Sequence, residues 1–264
     1  MKGAIIGDIV GSIYEFDNLK SKNFELFKPE CEFTDDSVLT VAVAETLLNF
    51  NPDDEENFKG NLIDIFHKYG ELYPDVGYGG HYLSWVEHKH REPYNSCGNG
   101  SAMRTSAVGW YAKSIKECER IAKICAEITH NHPDGITGAQ ATAGVIFLAR
   151  NGASKDELKT YMEKYYPVDF TIDEIRPTYE YEIINKTTVP QAFQCFYEAT
   201  NFEDTIRNAI SIGGDSDTVA AIAGSMAEAH FGIPEDISET GMSYLDKYMS
   251  EIIEEFYKTI VKST

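Results

Sequence analysis

No apolar run in this chain reaches the roughly 18 residues that a membrane-spanning helix requires. The opening stretch MKGAIIGDIVGS is interrupted by Asp8 and carries no signal-peptide cleavage pattern. No membrane partner is therefore expected. Cysteine is scarce and odd in number, five in all, with no CxxC pair to hold zinc or to run dithiol chemistry. Cys118 and Cys125, seven apart on a helical pattern, read as core, and a reducing, cytoplasmic compartment is the expectation. Basic residues are few: 23 Lys and Arg stand against 43 Asp and Glu, a net charge of −20. Such a surface repels a phosphate backbone at long range and argues against a nucleic-acid scaffold. Period-two alternation is also nearly missing, with one ambiguous run over 181–188, and there is no repeat or low-complexity linker.

What is present is helical periodicity on an ample apolar stock. Hydrophobic residues make up 42% of the 264, with 16 Tyr and 14 Phe, which excludes a disordered acidic tail and allows a large core. Wide apolar stripes run over 37–50, 57–73, 114–130, 138–150, 154–166, 189–200, 202–212 and 243–262. Between them lie turn-forming stretches such as NPDD, YPDVGYGG, NHPDG, RNGAS and FGIPED. These patterns predict one all-α domain over residues 1–264, with roughly a dozen helices and a monomeric chain.

The first helix is unusual. Gly3, Gly7 and Gly11 recur every four residues and leave one face without side chains. Each glycine lowers helix stability by about 1 kcal/mol relative to alanine, so close helix contact has to offset the loss. Asp8, Ser12 and Glu15 share another face, which is either the wall of a site or a solvated stripe. Two further stretches put carboxylates at helix starts: FTDDSVLT, with Thr34, Asp35 and Asp36, and GGDSDTVA, with Asp215, Asp217 and Thr218. One reading is N-capping, which Asp, Ser and Thr favour. A single Asp suffices for a cap, however, and both sites are doubled. If the clusters converge, each pair of charges about 4 Å apart costs about 4 kcal/mol at an effective dielectric of 20, and only cations or raised pKa values make the site tolerable. Hard oxygen ligands suit Mg, Mn or Ca rather than zinc or copper.

Five stretches in order, GAIIGDIVGSIYE, FTDDSVLT, GNGSAMR, THNHPDGITGA and GGDSDTVAAIAGSMAEAHFGIP, make the chain resemble the ADP-ribosylglycohydrolases, the family of the dinitrogenase reductase-activating glycohydrolase. Each stretch alone is weak, but the ordered set is specific and spans most of the chain. The resemblance implies an orthogonal all-α bundle with two Mg2+ (or Mn2+) ions in a cleft. It places Thr34, Asp35 and Asp36 on one side of the ions and Asp215, Asp217 and Thr218 on the other, with Asp217 bridging. The ions would hold the 2′ and 3′ hydroxyls of the ribose beside the scissile bond. Glu15 matches a family glutamate near the metals, and no metal-side position departs from the pattern, unlike the inactive, crystallin-like relatives.

The same resemblance distributes the remaining roles. Asn99, Gly100 and Ser101 in GNGSAMR would offer backbone N–H groups to a diphosphate, where the alternative is a plain turn and cap. The loop YPDVGYGG would bring Gly77, Tyr78 and Gly79 to the substrate and Asp75 to the leaving group, or else is only a turn. His130 and His132 would touch ribose or phosphate, whereas His88 and His90 read as surface. The implied activity is metal-assisted release of ADP-ribose from modified protein side chains or small conjugates, with Glu15, Asp36 or Asp75 handling protons or the departing group. Rival readings are a non-catalytic ADP-ribose-binding protein and a Mg-dependent diphosphate enzyme. DSDTV fits the DxDx[TV] pattern of haloacid-dehalogenase-type phosphatases, but too little chain follows Asp217 for that fold. DDSVL lacks the last acid of the DDxxD pattern found in isoprenoid synthases.

Overall fold

The computed structural model describes residues 1–261. In chain order the helices are α1 (Lys2–Gly11), α2 (Asp35–Asn49), α3 (Glu55–Leu72), α4 (Gly80–Glu87), α5 (Gly100–Met103), α6 (Ser106–Tyr111), α7 (Ile115–Glu127) and α8 (Pro133–Arg150). The second half adds α9 (Lys155–Met162), α10 (Ile172–Ile175), α11 (Asn185–Glu198), α12 (Phe202–Ile212), α13 (Ser216–Phe231), α14 (Glu235–Met242) and α15 (Lys247–Phe256). A 3₁₀ turn, Ser12–Tyr14, follows α1, and a π turn, Tyr257–Val261, follows α15. Among the described residues the only β-type pairing is an antiparallel bridge between Gly98 and Ile184, which falls within the ambiguous run over 181–188. The fold is all-α, as expected.

The predicted helices hold over most of their spans, with ends set by local chemistry; the last, expected over 243–262, begins at Lys247, and Lys262 lies outside the described residues. The pattern over 138–150 begins earlier, at Pro133, because the His132 ring nitrogen accepts the Asp134 N–H and proline suits the first turn. The pattern over 154–166 starts where expected, on a capping box in which Ser154 and Glu157 bond reciprocally, and stops at Met162. Cys118 and Cys125 are buried on α7, and all five cysteines are free thiols.

At the centre lies α13, buried continuously from Ser216 to Glu228 and packed against α1, α8, α11 and α12. From Val219 to Ala227 its residues are apolar or small on every face, as a helix stretch without a solvent side requires. The glycines of α1 explain its closest contact. A Cβ at Gly3 would overlap the Gly224 carbonyl oxygen, one at Gly7 the Ala220 carbonyl oxygen, and one at Gly11 the Cα of Asp217. The two helices are therefore antiparallel and meet backbone to backbone, which offsets the low helix propensity of glycine through dense packing. This contact brings the C-terminal end of α1 against the N-terminal turn of α13. Glu228 fixes the other end of the pair by accepting the Gly3 N–H at 2.8 Å.

Candidate metal centre and substrate cavity

The two acidic clusters do meet. Thr218 Oγ1 donates to Asp36 Oδ2 at 3.1 Å, and Thr34 Oγ1 lies 3.5 Å from Asp217 Oδ2, so the starts of α2 and α13 are linked side chain to side chain. One carboxylate oxygen each from Asp8, Asp36 and Asp217 falls within 4.8 Å of the others, and so does one each from Glu15, Asp215 and Asp217. Asp217 belongs to both triads.

Helix capping does not account for these acids. At α2 the cap is Thr34, assisted by Asp8 from α1. Asp8 Oδ2 accepts the Thr34 and Ser37 N–H groups at 2.9 and 3.1 Å and the Ser37 hydroxyl, while Oδ1 accepts the Thr34 hydroxyl at 2.6 Å. Asp35 and Asp36 are left free of that duty. At α13 the cap position is Asp215, but its carboxylate caps nothing; it accepts Asn99 Nδ2 at 2.7 Å instead. The polar face of α1 is thus the wall of a site, with Asp8 fully buried rather than solvated.

The electrostatics are one-sided. Among the described residues no lysine, arginine or histidine forms an ion pair with Asp8, Glu15, Asp35, Asp36, Asp215 or Asp217. Burial and then mutual repulsion hold Asp35, Asp36 and Asp217 well above the usual carboxylate range. Burial also raises Asp8 to about 6, against the pull of its Ser37 and Thr34 hydrogen bonds. Glu15 is pushed to about 6 by burial, opposed by a hydrogen bond from Tyr181 and reinforced by Asp215 and Asp8. Asp36 Oδ1 is buried without a hydrogen-bond partner. A buried, unpartnered carboxylate oxygen among five other acids fits a hard divalent cation.

All of these acids but Asp8 line a cavity of about 500 Å³, within the range of about 300–1,000 Å³ typical of small-molecule sites. Glu15, Thr34, Asp35, Asp36, Asp215, Asp217 and Thr218 all line it. So do Gly77, Gly79, Asn99, Gly100 and His130 of the residues expected at the substrate. The Asp35 N–H bonds to the Val76 carbonyl at 2.8 Å, which ties the YPDVGYGG loop to the start of α2. Gly77 has a φ of +92°, favoured by glycine, and faces Asp35. Burial, followed by the charge of Arg104, holds the His130 imidazole well below its ordinary pKa, so it enters the cavity neutral.

Four expected residues lie elsewhere. Asp75 is exposed and outside the lining. Tyr78 is buried, its ring 4.7 Å from that of Tyr82, and serves the packing behind the loop. Ser101 is buried and spends its hydroxyl on the Gly135 carbonyl at 2.7 Å. His132 caps α8 and borders a separate cavity with Tyr166 and Pro190. The Asn99 N–H is already given to the Ile183 carbonyl at 2.8 Å, so in this loop the side chain rather than that N–H faces the acids.

The cavity also takes in residues not anticipated: Leu39, Tyr82, Tyr94, Met103, Arg104, Tyr181 and Ile183. Arg104 ends the GNGSAMR stretch. It is buried, donates from Nη2 to the Cys125 carbonyl and to Thr129 Oγ1 at 2.8 Å each, and pairs with no acid among the described residues. Asp8 was visible as a polar position on a glycine-lined helix. Tyr181 and Ile183 carried no signal, since only the chain's return beside Gly98 brings them to the rim.

The sequence model of the ADP-ribosylglycohydrolases matches residues 1–263. The chain belongs to the ADP-ribosylglycohydrolase family. It is accordingly an enzyme of the glycohydrolase class. The mouse ADP-ribosylhydrolase ARH3 is 24% identical, over 88% of this chain and 83% of its own length. The ADP-ribosylarginine hydrolase Tri1 of Pseudomonas putida is 25% identical, over 96% of this chain and 76% of its own. A solved structure described as an ADP-ribosylglycohydrolase-related protein complex superposes with a TM-score of 0.70, covering 97% of this chain and 94% of that one at 21% identity, which supports the same fold.

Proposed function

We propose that this ADP-ribosylglycohydrolase uses two divalent ions, Mg2+ or Mn2+, to hydrolyse the bond between ADP-ribose and a protein side chain or small conjugate. The observation that carries the reading is the membership of Asp217 in both carboxylate triads, Asp8–Asp36–Asp217 and Glu15–Asp215–Asp217. A shared carboxylate between two oxygen-rich triads suits a bridged pair of hard cations. Thr34, Asp35, Asp36, Asp215, Asp217 and Thr218 would hold the ions, with Asp8 bracing the first side and Glu15 closing the second. Bound there, the ions supply Lewis acidity and fix neighbouring hydroxyls.

The chain's own groups do the rest. Glu15 is half-buried at the rim, with the Tyr181 hydroxyl as its hydrogen-bond partner, and can take a proton from an attacking water. The remaining carboxylates stabilise the positive charge that builds on the sugar as the leaving group departs. The wall with Met103, buried Arg104 and neutral His130 offers a diphosphate one uncompensated positive charge and a neutral ring. Leu39, Tyr82 and Tyr94 give adenosine an apolar surface.

The test is release of free ADP-ribose from defined conjugates. Turnover should vanish after chelation with EDTA, return with Mg2+ or Mn2+, and be nearly absent in Asp217→Ala. Turnover that persists after verified metal removal sinks the dinuclear reading. Binding of ADP-ribose with no turnover of any conjugate would leave a binding protein.

A further inference from the structure

Glu15 is the one acid of the site that neither lies in an α-helix nor occupies the N-cap of one. It follows the 3₁₀ turn Ser12–Tyr14, whereas Asp8 lies within α1 and the aspartates sit at the starts of α2 and α13. Its carboxylate has a single hydrogen-bond partner among the described residues, the Tyr181 hydroxyl, which donates to Oε1 at 3.0 Å. Tyr181 is half-exposed and stacks on Phe16, with ring centroids 6.1 Å apart and planes 26° from parallel. Phe16 directly follows Glu15 and is 84% exposed, the most open large apolar side chain described. The Tyr181 ring thus packs on Phe16 of the segment that carries Glu15, while its hydroxyl donates to the carboxylate.

The segment that carries Tyr181 is itself anchored to the site at alternate residues. The Tyr179 ring packs against Gly214, where a Cβ would collide with it, directly before Asp215. The Ile183 carbonyl accepts the Asn99 N–H, and Asn99 in turn holds Asp215. Tyr181 lies between these two anchors, so its backbone is held in place independently of Glu15.

Resting on the dinuclear reading above, we infer that Tyr181 is a positioning residue for Glu15: its hydroxyl fixes the carboxylate toward Asp215 and Asp217, and the Phe16 stack fixes the hydroxyl. Groups that hydrogen-bond a metal-ligating carboxylate from outside set its orientation, and their loss weakens metal binding by about 10- to 100-fold. Tyr181 is half-exposed, so the lower end applies.

The experiment is direct calorimetric titration of metal-free protein with Mn2+, without substrate, on wild type, Tyr181→Phe and Phe16→Ala. Tyr181→Phe retains the stack and removes only the hydroxyl. It should weaken Mn2+ binding at one of the two sites by about tenfold and leave the melting temperature of the metal-free protein unchanged. Phe16→Ala should shift the same affinity in the same direction by less. Unchanged or tighter Mn2+ binding in Tyr181→Phe overturns the assignment while leaving the metal centre standing. A wild type that binds no Mn2+ overturns the metal centre, and this role with it.

Discussion

Asp217 shows how much one side chain can be asked to do. It shares a triad with Asp8 and Asp36 and another with Glu15 and Asp215, yet it forms no ion pair among the described residues. Without cations it is a source of repulsion as much as a ligand. Asp217→Asn should therefore abolish turnover and, with EDTA present, raise the melting temperature, since a buried acid that must either carry its charge or be forced to keep its proton is replaced by a neutral amide. Calorimetric scans with and without Mn2+ check both halves: wild type should gain stability from the ion, and the variant should gain much less. A variant less stable than wild type in EDTA would contradict the repulsion.

The raised acids fix a pH signature as well. Asp8 and Glu15 titrate near 6 in the folded, metal-free chain, above their ordinary values, chiefly through burial. Between the unfolded and folded values the native state binds more protons, so stability falls as pH rises through that window. The melting temperature of metal-free protein should decline from about pH 4 to about pH 7 on this account, and Mn2+ should oppose the decline at the upper end. A metal-free profile that rises across the window would show the cluster to be compensated in some other way. At this scale the doubled aspartates were legible, because two acids at each helix start exceed what a cap uses. Tyr181 was not legible, because 166 positions separate it from Glu15 and no periodicity connects them.

Among the helices, the long ones could be read from periodicity and the short ones could not. The apolar stripes of α2, α3, α7, α11 and α12 extend over enough turns to show a period of 3.6. α4, α5, α6, α10 and α14 span one or two turns, and their stretches look like loops until the neighbours that shelter them are known. The glycine spacing of α1 foretold a close contact but not its partner. That partner supplies a test. Gly7→Ala should cost about 3 kcal/mol or more, because the added methyl meets the Ala220 carbonyl, which cannot swing aside as a side chain would. Gly11→Ala pushes on the Cα of Asp217 and should weaken Mn2+ binding as well as stability. Denaturant unfolding paired with Mn2+ titration separates the two effects. Equal metal affinity in a folded Gly11→Ala variant would show that the contact spaces the helices without setting the ligand.

Taken whole, the molecule is strongly anionic, with a net charge of −20. Its encounter with a substrate depends on the charge of whatever carries the ADP-ribose. For conjugates on basic peptides, kcat/KM should fall as salt rises from about 20 to about 200 mM, and for conjugates on nucleic-acid ends it should rise, since screening shortens the reach of the surface charge. Small neutral conjugates should change little. Identical salt profiles for basic and nucleic-acid carriers would mean that the field at the cavity mouth differs in sign from the overall charge. Net charge was fully legible in the sequence; its local distribution was not, because the buried site acids and Arg104 count in that total without facing solvent.

The backbone contact between α1 and α13 also has a consequence in time. Thr34 and Asp217 are 183 positions apart, a delay of roughly ten to forty seconds at the usual pace of synthesis of about 5–20 residues per second. Throughout that interval α1, with three glycines along one edge, lacks the helix that covers them, and a helix so composed does not hold itself together in water. The first half of the metal centre thus waits for the last quarter of the chain. A chain interrupted before Asp217 lacks the carboxylate common to both triads.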